Sequence, residues 1–498
     1  MENFLDLMGG FATALSLQNL LFALLGCLVG TMIGVLPGIG SAGGIAILIP
    51  ITFNLPPMPS IIMLAAIFYG AQYGGTISSV LVNVPGEAST AITCIEGHPM
   101  AKSGRAGVAL SMAAIGSFIG GTLAMLGLVI AAPPLARMTL EFGPPEMFSL
   151  MVVGLSLVTG LAGRSILKAL MMAALGLVLA AIGMDPSEGV PRLTFGQMEL
   201  LSGLDFVPVI MGLFGVGDVL LNAEKAFRPV SIWKMHQLIP AVSDLKLSSR
   251  PIARGTVVGF LIGLIPGTSA TIASFMSYSL EKRLSRQPER FGTGVIEGVA
   301  GPETANNAYA SAALIPLFTL GIPGSATIAV LMGAFMMNGL TPGPLLFVEH
   351  KEFVWALIAS LFIGNVMLII LNLPLIPLWV SLLRIPYAIL FALILVFTLI
   401  GAYSIDNSVF DIGTMVLFGV LGYIFKKLDF PLAPIVLTLI LGPLMERYLR
   451  STLQMSVGDP SILIQRPLSA MLLILAAVIV LTSGLKQRPS AITQDSSD

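Results

Sequence analysis

The sequence predicts an all-α polytopic membrane protein built as an inverted-topology repeat, with re-entrant hairpins, helices broken by Pro-Gly and about 11–12 membrane segments. Three observations carry that prediction. Of the 498 residues 56% are hydrophobic and 10% charged, and the mean hydropathy is +0.94. No soluble core hides that much apolar surface, so lipid has to be the solvent. Second, Gly26, Gly30, Gly34, Pro37 and Gly38 recur with the same spacing as Gly255, Gly259, Gly263, Pro266 and Gly267. Each copy is a glycine-faced helix running into a break inside an apolar stretch, which is how many transporters build a site from interrupted helices. Third, Lys and Arg, which collect in short cytoplasmic loops, flank the two copies in opposite ways.

In chain order, the first apolar run opens near Leu17 without a basic n-region or a small-residue cleavage site, so it is read as retained structure and the mature chain is expected to start at Met1. The first hairpin covers residues 17–55. Glu2 and Asp6 stand before it with no Lys or Arg, and the linker Asn54–Ser60 after it carries no charge, so it should open to the periplasm. Five spans follow, Ile61–Val82, Val108–Ala132, Met147–Leu161, Ile166–Met184 and Leu204–Leu221. Their odd number inverts the second copy. Between them Lys102, Arg105, Arg164 and Lys168 fall inside, and the Asp185–Asp205 loop falls outside.

The first repeat is therefore residues 1–222, followed by a cytoplasmic linker, 223–254, with Lys225, Arg228, Lys234, Lys246, Arg250 and Arg254. The second hairpin, residues 255–280, sits between that linker and Lys282, Arg283, Arg286 and Arg290. Pro266-Gly267 cuts it near the middle, and one crossing alone takes about 20 residues, so it should enter and leave on the cytoplasmic side. The second repeat runs over 255–485, with Arg384, Lys426, Lys427, Lys486 and Arg488 inside, and with Arg447 and Arg450 outside beside Glu446 and Asp459. Residues 486–498 form a polar tail, expected to be disordered.

A second Pro-Gly break follows each hairpin, Asn83-Val84-Pro85-Gly86-Glu87-Ala88-Ser89-Thr90 and Gly321-Ile322-Pro323-Gly324-Ser325-Ala326-Thr327. Backbone groups freed by a break survive in a membrane only inside protein or against a cavity. Half-helix N-termini suit carboxylates, and freed carbonyls suit a sodium ion. The candidate substrate- and ion-binding residues are Pro37, Gly38, Gly40 and Ser41 at the first tip and Tyr73, Gly74, Ser78, Asn83, Pro85, Gly86, Glu87 and Ser89 at the first later break. In the second half they are Pro266, Gly267, Thr268 and Ser269, then Glu303, Asn306, Asn307, Pro323, Gly324 and Ser325. Such small polar groups hold an anion without a fixed cation. Glu87 and Glu303, costly in lipid, would ligate a coupling cation or relay a proton, and they also fit the role of helix N-terminal charges at an interface. A sodium site near the breaks is expected, with its ligands open.

The rows Gly26, Gly30 and Gly255, Gly259 read as close helix packing rather than ligand contact. His98, His236 and His350 lie in predicted loops, and Cys27 and Cys94 lack metal-ligand spacing and read as small hydrophobes. Net charge −1 and a pI near 6.3 give no basic field for nucleic acid. Enzyme readings have little support: no HExxH and no P-loop occurs, and Gly215-Val-Gly-Asp218 spells the GxGD of some intramembrane aspartyl proteases with only Asp205 nearby as a partner. Energy would come from an ion gradient or another subunit, and no cofactor is expected beyond a coupling Na+ or H+.

Several stretches carry a resemblance. GTMIGVLPGIGSAGGIAILIP (30–50), AAIFYGAQYGGTISSVLVNVPGEAST and EGHPMAKSGRAG closely resemble the large membrane subunit of the tripartite tricarboxylate transporters, the TctA family. The similarity continues through GLIPGTSATIASFMSYSLEKR, GVIEGVAGPETANNA and LGIPGSATIAVLMGAFMMNGLTPGP and covers nearly the whole chain. Phe68 and Thr76 depart from the Tyr and Ser of the pattern but keep size or hydroxyl. The resemblance implies a secondary active permease in a bacterial inner membrane that imports citrate or other carboxylates on a sodium or proton gradient. It also implies two partners, a small, few-helix membrane subunit (TctB-like) and a periplasmic solute-binding protein (TctC-like). A stand-alone carrier or channel and an intramembrane enzyme are the rival readings.

Overall fold

The computed structural model describes residues 2–36, 39–52, 55–157, 165–185, 189–224, 239–382 and 387–486. The predicted tip residues Pro37 and Gly38, residues 225–238 of the predicted linker with His236 among them, and the polar tail beyond Lys486 lie outside the described residues. The first half consists of α1 (Glu2–Ala14), α2 (Leu17–Val35), α3 (Gly40–Thr52), α4 (Pro57–Val82), α5 (Thr93–Lys102), α6 (Ala106–Thr139), α7 (Pro144–Leu157) and α8 (Ile166–Ala180), and closes with α9 (Phe206–Ala223). The second half has α10 (Val242–Gly263), α11 (Ala270–Leu284), α12 (Glu297–Ala312), α13 (Leu314–Leu320), α14 (Ala326–Met337), α15 (Lys351–Asn372), α16 (Ile376–Leu382), α17 (Tyr387–Asp406), α18 (Val409–Lys427), α19 (Ala433–Met455) and α20 (Pro467–Lys486). Among the described residues the only strands are the short antiparallel pair Gly183–Met184 and Pro191–Arg192.

By length and composition α2, α4, α6, α9, α15 and α18 are long and apolar enough to cross a membrane, and α3, α8 and α14 are apolar but shorter. The five spans expected between the hairpins correspond to α4, α6, α7, α8 and α9; residues 158–161, the end of the third, are not described. With 13 residues in α3 and 15 in α11, at about 1.5 Å per residue, each hairpin has one arm too short for a hydrocarbon core about 30 Å thick. The helix of the second hairpin starts earlier than its charge pattern suggests. It begins at Val242, inside the stretch read as linker, because its charges find partners: Arg105 meets Asp244 at 2.7 Å, and Arg254 makes a two-bond pair with Glu281 of α11.

Backbone spacing shows what the duplicated glycines do. A Cβ at Gly26, Gly30 or Gly34 would lie 2.4, 2.4 or 2.2 Å from the carbonyl oxygens of Met63, Ile67 and Ala71 on α4. At Gly255 and Gly259 it would lie 2.4 and 2.2 Å from those of Gly301 and Ala305 on α12, and at Gly263 3.0 Å from that of Tyr309. No side chain fits in these gaps, so the glycine rows let α2 lie on α4 and α10 on α12 in the same way. The interval from Met63 to Gly301 also separates Asn83 from Gly321 and Pro85-Gly86 from Pro323-Gly324. Asn83 (φ 59°) and Gly321 (φ 68°) both end their helices in the left-handed conformation, which Asn and Gly adopt most readily.

The matched helices α4 and α12 touch. Tyr69 Oη donates to Ser311 Oγ at 2.8 Å and Thr76 Oγ1 to Glu303 Oε2 at 2.7 Å. Residue numbers rise along one helix as they fall along the other, so the two run antiparallel. The short hairpin arms are exchanged between halves: α3 packs on α14, and α11 on the turn Ala88–Thr90.

Ion pairs sort the polar ends onto two faces, since no pair reaches across a bilayer. Arg105–Asp244, Arg254–Glu281, Lys426–Asp218 and Lys427–Glu224 join residues in or beside the loops expected inside. Arg192–Glu446, Arg450–Asp185 and Lys351–Asp6 engage the loops expected outside. Arg450, an awkward cation on that face, is held by both Asp185 and Glu446.

Candidate functional site

The tip of the first hairpin touches the Pro-Gly breaks of both halves. The Ser41 backbone N–H donates to Glu87, and Ser41 Oγ lies 3.1 Å from Thr327 Oγ1. Gly40, just before it, has φ 67°. A Cβ on Gly86 would sit 2.0 Å from the Gly34 carbonyl oxygen, so only glycine lets the first later break lie against the hairpin. Glu87 then starts the turn Ala88–Thr90, with Thr90 Oγ1 accepting from its N–H at 3.4 Å. Ser269 and Ser325 cap α11 and α14, each accepting the N–H three residues on at 3.3 Å. Tyr309 Oη lies 3.0 Å from the Thr268 carbonyl and 3.2 Å from that of Gly324, tying the second tip to the second later break. Through these contacts the N-termini of α3, α11 and α14 converge, each with N–H groups that have no partner within the helix and with the positive end of a helix dipole.

Behind this junction lies α12. Glu303 is buried and accepts from Thr76 and Thr93 hydroxyls, with no basic side chain bonded to it among the described residues. Asn307 Nδ2 donates to Ser117 Oγ at 2.7 Å. A cavity of about 10 Å³, room for one water, is lined by Tyr73, Thr76, Ser117 and Asn372 beside the partners of Glu303. Glu96, equally buried, is compensated otherwise: Tyr278 Oη and the N–H groups of Gly294 and Val295 donate at 2.8 Å, and the Gly292 N–H joins them. Gly292 and Gly294, both at φ 101°, let that loop turn its N–H groups inward. Among the described residues no three His, Cys, Asp or Glu side chains form a metal cluster.

The structure thus brings together Gly40, Ser41, Gly86, Glu87, Thr268, Ser269, Gly324 and Ser325, framed by Pro85, Pro266, Gly267 and Pro323, with Glu303, Asn306 and Asn307 behind them. Other candidates face elsewhere. Tyr73 Oη donates to Asn365 Oδ1 of α15 at 2.8 Å, and Gly74 packs against the Thr31 carbonyl. Ser78 bonds the Gly75 carbonyl at 3.2 Å, Ser89 donates to Gln72 at 2.9 Å, and Asn83 is exposed where it ends α4. Sequence reasoning left Thr93, Thr327, Gln72, Ser117 and Glu96 out of the site. Thr327 was within reach, since it stands where Ser89 stands in the first half, and Glu96 is a carboxylate in a stretch with no basic residue before Lys102. The protease motif does not assemble a dyad. Asp218 pairs with Lys426 and Asp205 caps the Val207 N–H at 2.8 Å, at opposite ends of α9, roughly 20 Å apart by helix rise.

A model of the tripartite tricarboxylate transporter TctA family matches residues 20–437, a range that includes all four breaks, the second hairpin and all but the first three residues of the first. The chain belongs to the TctA family. It is 47% identical over 474 residues, 95% of its length and 94% of the relative's, to the "Uncharacterized 52.8 kDa protein in TAR-I ttuC' 3'region" of Agrobacterium vitis. It is 48% identical over 227 residues, 46% of its length and 94% of the relative's, to the "Uncharacterized protein in TAR-II ttuC' 3'region" of the same organism. No solved structure matches it. As a TctA protein it is the membrane component of a tricarboxylate transporter, one part of a tripartite system with other subunits, in a family of transporters rather than enzymes.

Proposed function

We propose that this TctA chain is the permease subunit of a binding-protein-dependent secondary transporter that imports tricarboxylates or related organic acids across a bacterial inner membrane. The observation that carries the reading is the junction where Ser41 meets both Glu87 and Thr327. Three helix N-termini converge there, with Ser269 and Ser325 as caps and Ser41 in the first turn of α3, an arrangement that favours a carboxylate without a basic side chain. A periplasmic solute-binding protein delivers the solute, and a small membrane subunit completes the complex.

The two halves are inverted repeats, a reading supported by the antiparallel run of α4 and α12 and by the exchanged short arms. In this arrangement the first hairpin opens to the periplasm and the second to the cytoplasm. The hairpins and later breaks move together against the remaining helices in alternating access, and a sodium ion or proton taken at Glu87 or Glu303 couples the motion to a gradient. The test is uptake of labelled citrate and other carboxylates into proteoliposomes holding this chain and its small partner, with and without binding protein, under a sodium or a proton gradient. Uptake that needs both the binding protein and a gradient is expected. Gradient-driven uptake without the binding protein would make the chain a stand-alone carrier, and no uptake of any carboxylate would remove the reading.

A further inference from the structure

Asn306 stands between Glu303 and Tyr309 on α12, and residues three apart share a helix face. Glu303 reaches Thr93, just past the first later break. Tyr309 reaches the Thr268 carbonyl at the second tip and the Gly324 carbonyl at the second later break. The Asn306 amide is therefore flanked along its helix by one side chain that contacts Thr93, beside the first later break, and one that contacts Gly324, in the second. It is fully buried at 0% exposure, yet neither Nδ2 nor Oδ1 has a hydrogen-bond partner. Asn307, next to it, is half satisfied: its Nδ2 is held by Ser117, while its Oδ1 also lacks a partner.

An amide offers two N–H donors and one accepting oxygen, and burying them unpaired is unfavourable unless something else pairs them. A bare carboxylate would satisfy Nδ2 but leave Oδ1 against oxygens of the same partial charge. A ligand that satisfies the whole amide presents an acceptor and an O–H donor side by side, as a 2-hydroxycarboxylate does: its carboxylate oxygen accepts from Nδ2 and its hydroxyl donates to Oδ1. We propose that Asn306 is the specificity residue of the solute site and selects hydroxylated carboxylic acids over their deoxy analogues. This rests on the carboxylate-transport reading and names the substrate class within it. A site that pairs a ligand hydroxyl rejects the analogue lacking it, because its own polar groups are then left unpaired.

The test is made on the purified full chain, where no binding protein contributes selectivity. Binding of citrate against tricarballylate, and of malate against succinate, is measured by calorimetry for the wild type and for Asn306→Leu, together with the thermal midpoint of each without ligand. The wild type is expected to bind each hydroxy acid at least tenfold tighter than its deoxy partner. Asn306→Leu should lose that preference to within twofold while unfolding at the same or a higher temperature, since it removes an orphaned polar group and keeps the bulk. A variant that keeps the preference overturns the proposal, as does one that unfolds well below the wild type, which would make the amide a structural one. Wild-type binding of each acid and its deoxy analogue alike overturns the proposal and leaves the transport reading standing. Wild-type binding of none of the four overturns the proposal, and uptake with the binding protein present then decides the transport reading.

Discussion

Glu96 and Glu303 are buried carboxylates without a basic partner among the described residues, and they differ in what stands in for one. Glu96 accepts from three backbone N–H groups and the Tyr278 hydroxyl, so its oxygens find their partners inside the protein. Glu303 accepts only from two threonine hydroxyls, so its charge is left for a proton or a cation to balance. Substitution by glutamine separates the two roles. Glu96→Gln turns an NH2 toward backbone donors and is expected to destabilise by about 1–3 kcal/mol, seen as a lower thermal midpoint. Glu303→Gln can still pair with both threonines, one as donor and one as acceptor. It should unfold within a few degrees of the wild type and reduce gradient-driven accumulation more than tenfold, on the order of 1.4 kcal/mol in coupling. Full accumulation by Glu303→Gln would remove Glu303 from coupling.

At the scale of elements, the glycine rows explain why α2 lies on α4 as α10 lies on α12. Gly30→Ala would place a Cβ 2.4 Å from the Ile67 carbonyl oxygen, against backbone that cannot turn aside, and should cost roughly 1–3 kcal/mol. Gly413 on α18 is the control, because nothing lies within 4 Å of its Cβ position; Gly413→Ala should be neutral or stabilising by up to about 1 kcal/mol. Equal midpoints for the two variants would contradict the packing. Much of this level was legible in the sequence, because small-residue spacing, Pro-Gly breaks and the lack of charge in spans act locally. The start of α10 was not legible, since its charges read as a loop until Arg105 and Glu281, distant in sequence, pair with them. The direction of Tyr73 was hidden for a similar reason, its partner Asn365 lying nearly three hundred residues away. The breaks announced the junction, but contacts between halves decide which of their side chains enter it.

Across the whole molecule, polar ends on one face join the two halves through pairs such as Glu446 with Arg192 and Arg450 with Asp185. Arg192, and then Arg450, hold the Glu446 carboxyl below its usual range. A lowered carboxyl gives stability that is present above its unfolded value and lost as pH falls through the folded one, so this link should loosen below about pH 4. Thermal midpoints recorded from neutral to acid pH should fall less steeply for Glu446→Gln; an unchanged acid limb would show that the pair adds nothing. The same sorting of charges fixes the sidedness on which inversion depends. Gln197, exposed in the loop before α9, belongs with Asp185 and Arg192, whereas Gln287, exposed after α11, belongs with Arg254 and Glu281. If the halves are inverted in the bilayer, an impermeant maleimide should label Gln197→Cys from the periplasmic side of intact spheroplasts and label Gln287→Cys only after the membrane is opened. Cys27 is buried, and a chain lacking both introduced cysteines sets the background from Cys94. Labelling of both positions from one side would mean that the two hairpins open the same way, and antiparallel α4 and α12 would then reflect local packing rather than a two-fold axis in the membrane plane.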